Sequence, residues 1–166
     1  IAVRPGQTIT AKGYDDVEFL ISTNPGESLK PLSQVASGGE LSRIMLAIKT
    51  VLAGRDEIDT LIFDEIDTGI SGRTAWKVAE QLSVLSGAHQ VICITHLPQI
   101  AAMADVHFVI EKSSTDDMTI TDIHKVSAEE SLAELARLLG SDALTEAALS
   151  NAKEMKEQAG MFKETR

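Results

Sequence analysis

Cysteine, aromatic residues and long apolar runs are all scarce in this 166-residue sequence. Its single cysteine, Cys93, excludes an internal disulfide, and the apolar stretch V-I-C-I around it predicts a buried thiol. No apolar run approaches the roughly 18 residues that a membrane-spanning helix needs, and no signal peptide opens the sequence. The histidines and the cysteine do not have the spacing of a metal site. These absences favour a cytoplasmic protein without a membrane partner.

Positive charge is scarce as well: 15 Lys and Arg stand against 25 Asp and Glu, so the formal net charge is −10. Surfaces that bind nucleic-acid phosphates are usually basic, which argues against this segment as a main DNA contact. The hydrophobic share of 43% and the charged share of 24% are those of a globular protein. We predict one domain over residues 1–166. Because the sequence opens in mid-pattern and without Met, we expect it to be part of a longer protein.

Apolar periodicity predicts alternating strands and helices. The predicted strands lie at residues 15–22, 61–63 and 91–95, with a hairpin formed by 106–111 and 118–126. The predicted helices run from Leu41 to a stop at Gly54, and then over residues 75–85, 97–104, 127–140 and 143–158, with a capping box opening the fourth. Strands that alternate with helices indicate an α/β fold with a mostly parallel sheet flanked by helices.

The first predicted helix opens with S-G-G-E, which is Ser37, Gly38, Gly39 and Glu40. Two glycines let a ligand approach the backbone, and the free N–H groups and partial positive charge of a helix N-terminus suit a phosphate. Ser37 and Glu40 also fit an ordinary capping box. Taken alone, these four letters favour the capping box.

Asp64 and Glu65 directly follow the apolar stretch T-L-I-F. Two adjacent carboxylates at the end of a buried strand suit phosphate chemistry, because one can hold Mg²⁺ through water and the next can polarise an attacking water. A strand that runs into a solvated acidic turn explains the pair about as well.

The stretch D-T-G-I-S-G begins at Asp67, shortly after the carboxylates, and His96 follows the next buried strand. Asp67 or Ser71 could simply cap a helix, and a lone histidine is more often a loop residue. In a parallel sheet, however, the C-terminal ends of the strands line the ligand crevice, so Asp64, Glu65 and His96 would meet at one edge. Each pattern is weak by itself, but their joint order is specific.

That order of motifs resembles the SMC-like branch of the ABC ATPase superfamily. S-G-G-E is similar to the ABC signature, L-I-F-D-E to Walker B with its catalytic glutamate, residues 67–72 to the D-loop, and His96 to the switch histidine. The resemblance covers roughly residues 13–140 and implies the C-terminal lobe of an ATPase head. Within the branch, the stretches V-A-S-G-G-E-L-S-R, D-E-I-D-T-G-I-S-G-R and I-T-H-L-P-Q-I-A are similar to a bacterial family that acts in DNA double-strand break repair and recombination.

The resemblance implies a role for each polar side chain at the strand ends. Asp64 would assist Mg²⁺ through water, Glu65 would be the general base, and His96 would sense or stabilise the γ-phosphate of ATP. Asp67 would connect the two ATP sites of a dimer.

The resemblance also implies that each ATP site is shared between two heads. The signature residues Ser37, Gly38, Gly39 and Glu40 would bind the γ-phosphate of an ATP held by the second head of a homodimer. The complete protein would contact DNA, in the cytoplasm and at the nucleoid, mainly through parts other than this acidic segment.

The phosphate-binding pattern G-x-x-x-x-G-K-[S/T] does not occur in this sequence. In the family that the chain resembles, this Walker A loop lies in an N-terminal lobe, which a long coiled coil separates from the part that carries the signature. The resemblance therefore makes that lobe a partner of this chain. It also predicts that the chain alone is inactive and binds ATP weakly.

Three other interpretations stay open. The head of another SMC-like or transporter ATPase would carry the same order of motifs. A non-catalytic dimerisation domain could keep the fold, although it would not require Glu65. A response-regulator-like switch would need an acidic pocket at the first strand, which Asp15 and Asp16 could mimic, but it leaves S-G-G-E unexplained.

Overall fold

Strands and helices alternate along the chain in the computed structural model, which describes residues 1–22, 26–34, 37–52, 55, 57–114, 118–140 and 144–165. The strands are β1 Ala2–Thr10, β2 Gly13–Glu18, β3 Leu20–Ile21, β4 Lys30–Pro31, β5 Thr60–Phe63, β6 Gln90–Cys93, β7 Phe108–Ser114 and β8 Thr119–Lys125. The α-helices are α1 Gly38–Leu52, α2 Gly72–Leu85, α3 Pro98–Met103, α4 Ala128–Leu138 and α5 Glu146–Glu164, and a short 3-10 helix covers Leu32–Gln34. The predicted α/β class is confirmed.

The described strands form four two-stranded sheets, and only the β5–β6 pair is parallel. The pairs β1–β2, β3–β4 and β7–β8 are antiparallel. The sheet is therefore smaller and less parallel than the sequence predicted. The reason is the length of the connections: strands joined by a short turn pair antiparallel, whereas β5 and β6 are linked through α2, which allows a parallel crossover.

The core forms between the β5–β6 pair and the helices that cover one of its faces. Ile66 and Leu85 are fully buried in it. The apolar stripe predicted on the second helix is confirmed, since Ala75, Val78, Ala79, Leu82 and Leu85 are all buried. A second cluster, built around Leu135 and Met155, joins α4 and α5 to α3. No helix in the described ranges combines the length and apolar character that a bilayer crossing requires.

Helix α1 begins three residues earlier than its apolar periodicity predicted, because the S-G-G-E segment is itself helical from Gly38. Its predicted stop, Gly54, lies outside the described residues. Only one large apolar side chain of α1, Leu46, is buried. The predicted apolar face stays exposed at several positions: Leu41, Met45, Ile48 and Leu52.

Strand β1 was missed by the sequence analysis, and the strand predicted at residues 15–22 is divided between β2 and β3. Pro5 and Gly6 suggest a turn, yet Pro5 pairs with Asp15 beside an irregularity in the β1–β2 register. Proline is tolerated at such an edge because no ladder hydrogen bond is required of it there. An added Cβ at Gly6 would collide with the carbonyl oxygen of Tyr14, so close backbone approach explains this glycine.

Two predictions near the C-terminal part are confirmed. Strands β7 and β8 form the antiparallel hairpin, paired from Phe108 with Lys125 to Ser114 with Thr119. The capping box is complete at α4, where the Ser127 hydroxyl accepts from the Glu130 N–H and the Glu130 carboxylate accepts from the Ser127 N–H. Helix α5 extends to Glu164, beyond the predicted end at residue 158.

The burial of Leu135 leads to a stability prediction. Leu135→Ala should lower the free energy of unfolding by about 2–5 kcal/mol, because a fully buried leucine leaves a cavity when it is truncated. Leu144→Ala is the matched control, since Leu144 is exposed and should change stability by no more than about 0.5 kcal/mol. Urea unfolding followed by circular dichroism measures both; equal losses would show that α4 does not pack as described.

Candidate functional site

The parallel pair β5–β6 brings two of the predicted motifs to one edge. Phe63 pairs with Cys93, and the Ile94 N–H donates to the Phe63 carbonyl over 3.0 Å. Both strands end here, so residues 64–65 follow one strand and residues 95–96 follow the other at the same edge. The predicted meeting of the carboxylates with the histidine segment is therefore a feature of this fold.

Asp67 joins the loop after β5 to the loop after β6. Its side chain is only 4% exposed. One oxygen, Oδ2, accepts from the Thr95 hydroxyl at 2.6 Å and from the His96 N–H at 2.8 Å, and it lies 3.0 Å from His96 Nδ1. The His96 side chain is 72% exposed, so the ring is held at one nitrogen while the rest of it faces solvent.

A capping role for these residues at α2 is not supported. Ser71 occupies the N-cap position of α2, but its side chain makes no capping hydrogen bond. The Asp67 carboxylate bonds to Thr95 and His96 instead of to the helix. The turn between them uses Gly69 at φ 76°, a left-handed conformation that favours glycine.

Glu65 has an unusual backbone. Its φ is 58°, which makes it the one non-glycine residue with positive φ in the described part of the chain. The Glu65 N–H donates to Asp64 Oδ1 at 2.9 Å, and the Glu65 carbonyl accepts from the Thr68 N–H at 3.0 Å. Such conformations cost about 1–3 kcal/mol and persist only when surrounding contacts enforce them. Both carboxylates, Asp64 and Glu65, are exposed.

Cys93 lies directly behind this edge. The sequence predicted a buried thiol, whereas Cys93 is half-buried in the structure. Burial, and after it the negative charges of Asp67 and Asp64, raise the pKa of its thiol to about 12. The thiol therefore stays protonated at neutral pH and is a packing group, because the thiolate is the reactive form.

The S-G-G-E start of α1 packs against the loop that carries the carboxylates. An added Cβ at Gly38 would collide with the Glu65 carboxylate. At Gly39 it would lie 2.8 Å from the Glu65 carbonyl oxygen and 3.0 Å from Thr68 Cβ. Close packing within the chain therefore requires a glycine at position 39, where the neighbour is backbone, whereas at Gly38 the neighbour is the movable end of the Glu65 side chain. The Ser37 hydroxyl accepts from the Glu40 N–H over 3.4 Å, which is long for a capping bond.

Two residues to which no role was assigned from the sequence tie α1 to the same loop. The Ser42 hydroxyl donates to the Asp64 carbonyl at 2.9 Å. Arg43 Nη1 donates to the Ile66 carbonyl at 3.0 Å and to the Thr68 carbonyl at 2.8 Å. We call Ser42 and Arg43 the α1 clamp. The sequence shows only that two polar residues lie one turn beyond the glycines, beside an apolar face. That pattern does not identify the hydrogen-bond partners of Ser42 and Arg43.

The site thus unites all four predicted motifs, and its chemistry is that of exposed carboxylates and one histidine. Within the described ranges, no group of three or more acidic, histidine or cysteine side chains could enclose a metal ion. Asp64 alone fits Mg²⁺ bound mainly through water, because Mg²⁺ retains much of its hydration and prefers oxygen ligands. Asp15 and Asp16 lie within the exposed strand β2, not at this edge, which removes the basis for a response-regulator pocket.

Comparison with known proteins gives one consistent group of relatives. The chain is 49% identical over 157 residues to the DNA repair protein RecN of Bacillus subtilis, covering 95% of this chain and 27% of that protein. It is 54% identical over 143 residues to RecN of Treponema pallidum, covering 86% of this chain and 25% of that protein. The chain thus spans about a quarter of the length of these relatives.

No family model matches the sequence. A solved chain from work on the structural biochemistry of ATP-driven dimerization and DNA-stimulated activation of SMC ATPases is 24% identical, with a TM-score of 0.48. That similarity covers 75% of this chain and 81% of the solved one. Over most of its length, this chain is similar in sequence to one segment of the RecN DNA repair proteins.

Proposed function

We propose that this chain supplies the signature, Walker B, D-loop and switch histidine of an ATPase head in a RecN-like protein that acts in DNA double-strand break repair and recombination. The observation that carries the proposal is the Asp67 bridge, which holds His96 beside the loop of Asp64 and Glu65. A scaffold would not need an exposed histidine ring and two exposed carboxylates at one sheet edge. The sequence similarity to RecN proteins supports the same assignment.

In this proposal the side chains at the edge divide the work. Asp64 would hold Mg²⁺ through water, and the bound ion would neutralise charge on the phosphates of ATP. Glu65 would accept the proton of the attacking water as general base. His96 would contact the γ-phosphate through the part of its ring that faces solvent.

The signature residues Ser37, Gly38, Gly39 and Glu40 would bind the γ-phosphate of an ATP held by the second head. The start of a helix suits this, because its N–H groups and dipole favour an anion, and Gly38 is exposed there. Asp67 has a different place in the proposal from the one expected from sequence. Since it is almost fully buried and already bonded to Thr95 and His96, we assign its action to one head, where it orients the histidine.

We propose that the chain's own Walker A lobe covers the uncovered face of the β5–β6 pair. Leu61 and Phe63 are buried on one face, whereas Ile62 on the other is 69% exposed, and Ile92 and Ile94 are also exposed. Apolar side chains that alternate in this way on both faces are typical of a sheet buried on both sides. DNA would then bind through the complete protein in the cytoplasm, at the nucleoid, because this segment carries a net charge of −10.

The first prediction from the proposed function concerns the chain alone. It should bind MgATP weakly and show no steady turnover, because the Walker A loop that would carry most phosphate contacts is absent from its sequence. Isothermal titration calorimetry and a phosphate-release assay measure both properties. Micromolar binding with sustained turnover would contradict the assignment of a half-site.

The second prediction concerns Glu65 in the full-length protein. Glu65→Gln keeps the shape of the side chain and removes the base, so turnover should fall about 10²-fold or more while ATP still binds and heads still associate. Glu154→Gln is the matched control, because Glu154 is exposed on α5 and should leave turnover unchanged. Near-normal turnover of Glu65→Gln would assign the base to another group.

The third prediction separates a nucleotide contact from a capping box at Ser37. If Ser37 only caps α1, Ser37→Ala and Ser37→Arg should each cost roughly 1 kcal/mol of stability and little else. If it faces the other head's ATP, Ser37→Arg should abolish head association and turnover in the full-length protein. Nucleotide binding and melting temperature should then change little, because ATP is held by the Walker A lobe.

Ser150→Arg on α5 is the control for the Ser37 experiment, since the same side chain is introduced on an exposed helix face. Nucleotide affinity, ATP-dependent head association and turnover are measured together. Turnover that declines only in step with stability would leave the capping box as the sufficient explanation.

A further inference from the structure

The loop that carries Glu65 is held from two directions. On one side Asp67 bonds to Thr95 and His96 after β6. On the other side the α1 clamp reaches the loop carbonyls that flank Glu65, those of Asp64, Ile66 and Thr68. Glu65 itself makes only local hydrogen bonds among those described: its N–H donates to Asp64, and its carbonyl accepts from Thr68.

The clamp bonds explain how a strained residue can persist at this position. Glu65 has φ 58°, a conformation that surrounding contacts must enforce. The bonds from Ser42 and Arg43 fix the carbonyls on both sides of it, and the fully buried Ile66 side chain anchors the next position. A single guanidinium nitrogen, Nη1, bonds two of these carbonyls, so Arg43 also sets the spacing between Ile66 and Thr68.

We infer that Arg43, together with Ser42, is a positioning pair that couples the S-G-G-E end of α1 to the Glu65 carboxylate. The clamp lies one turn beyond Gly39, on the same rigid helix, so a displacement of the helix start moves the clamp and therefore the loop. This inference rests on the proposed function, because it gives Glu65 the role of base and S-G-G-E the role of nucleotide contact. Binding of a phosphate to S-G-G-E would then change the position of the Glu65 carboxylate.

The chemistry of the clamp indicates which kinetic constant it controls. Both side chains donate to main-chain carbonyls of the loop, so neither is assigned a contact with ATP. Loss of the clamp should misplace Glu65 without removing a ligand contact. A misplacement of about 1 Å can lower a rate roughly 100-fold while substrate binding is retained.

The test uses the full-length protein with ATP and DNA. Arg43→Gln should lower kcat about 10-fold to 100-fold and leave the KM for ATP within about twofold. Ser42→Ala removes only one bond and should lower kcat in the same direction by less. Arg137→Gln is the matched control, because Arg137 bonds Glu134 on α4, away from the site, and its kcat should not change.

Melting temperatures separate positioning from folding, and Ser42→Ala keeps the test decisive if Arg43→Gln folds poorly. An unchanged kcat in both clamp variants, or a loss that matches the loss of folded protein, would overturn the inference.

Measurements in the Glu65→Gln background distinguish failure of this inference from failure of the proposed function. Normal turnover of Glu65→Gln would refute the proposed base, and with it the coupling. If Glu65→Gln is inactive, Arg43→Gln added to it should change residual hydrolysis less than about twofold.

Discussion

The hydrogen bonds of one buried carboxylate determine the geometry of the candidate site. Asp67 lies between the ends of two parallel strands and would be costly to bury without partners, since an unpaired buried charge is strongly unfavourable. Thr95 and His96 supply those partners. The same bonds that stabilise the buried charge fix the distance between the loop after β5 and the loop after β6, so burial and site geometry have one cause.

Helix α1 completes this arrangement from the opposite side. Its glycines allow the backbone to approach the loop, and the α1 clamp then secures the contact by hydrogen bonds to main-chain carbonyls. At Gly39, close packing and the proposed phosphate recognition make the same demand for a residue without a side chain. This glycine therefore has two physical explanations, and only substitutions that separate stability from nucleotide engagement distinguish them.

Sequence reasoning located the parts of this site but not the bonds between them. Apolar runs followed by polar residues were enough to place Asp64 and His96 at neighbouring strand ends, and the capping box of α4 followed from local letters alone. The partners of Asp67 lie 28 and 29 residues away, and those of Ser42 and Arg43 lie 22 to 25 residues away, so they depend on tertiary packing. Strand β1 was missed because the turn chemistry of Pro5 and Gly6 dominates locally, whereas pairing with β2 decides the outcome.

The left-handed backbone of Glu65 has a consequence for how this sequence can vary. Asparagine tolerates that conformation better than glutamate does, so the loop itself would gain stability from losing its acid. If Glu65 is the base that we propose, selection for a more stable fold and selection for hydrolysis would act in opposite directions at this position. Laboratory evolution for thermal stability alone should therefore erode this residue early, and its retention in an evolved variant would be a sign that turnover was still being selected.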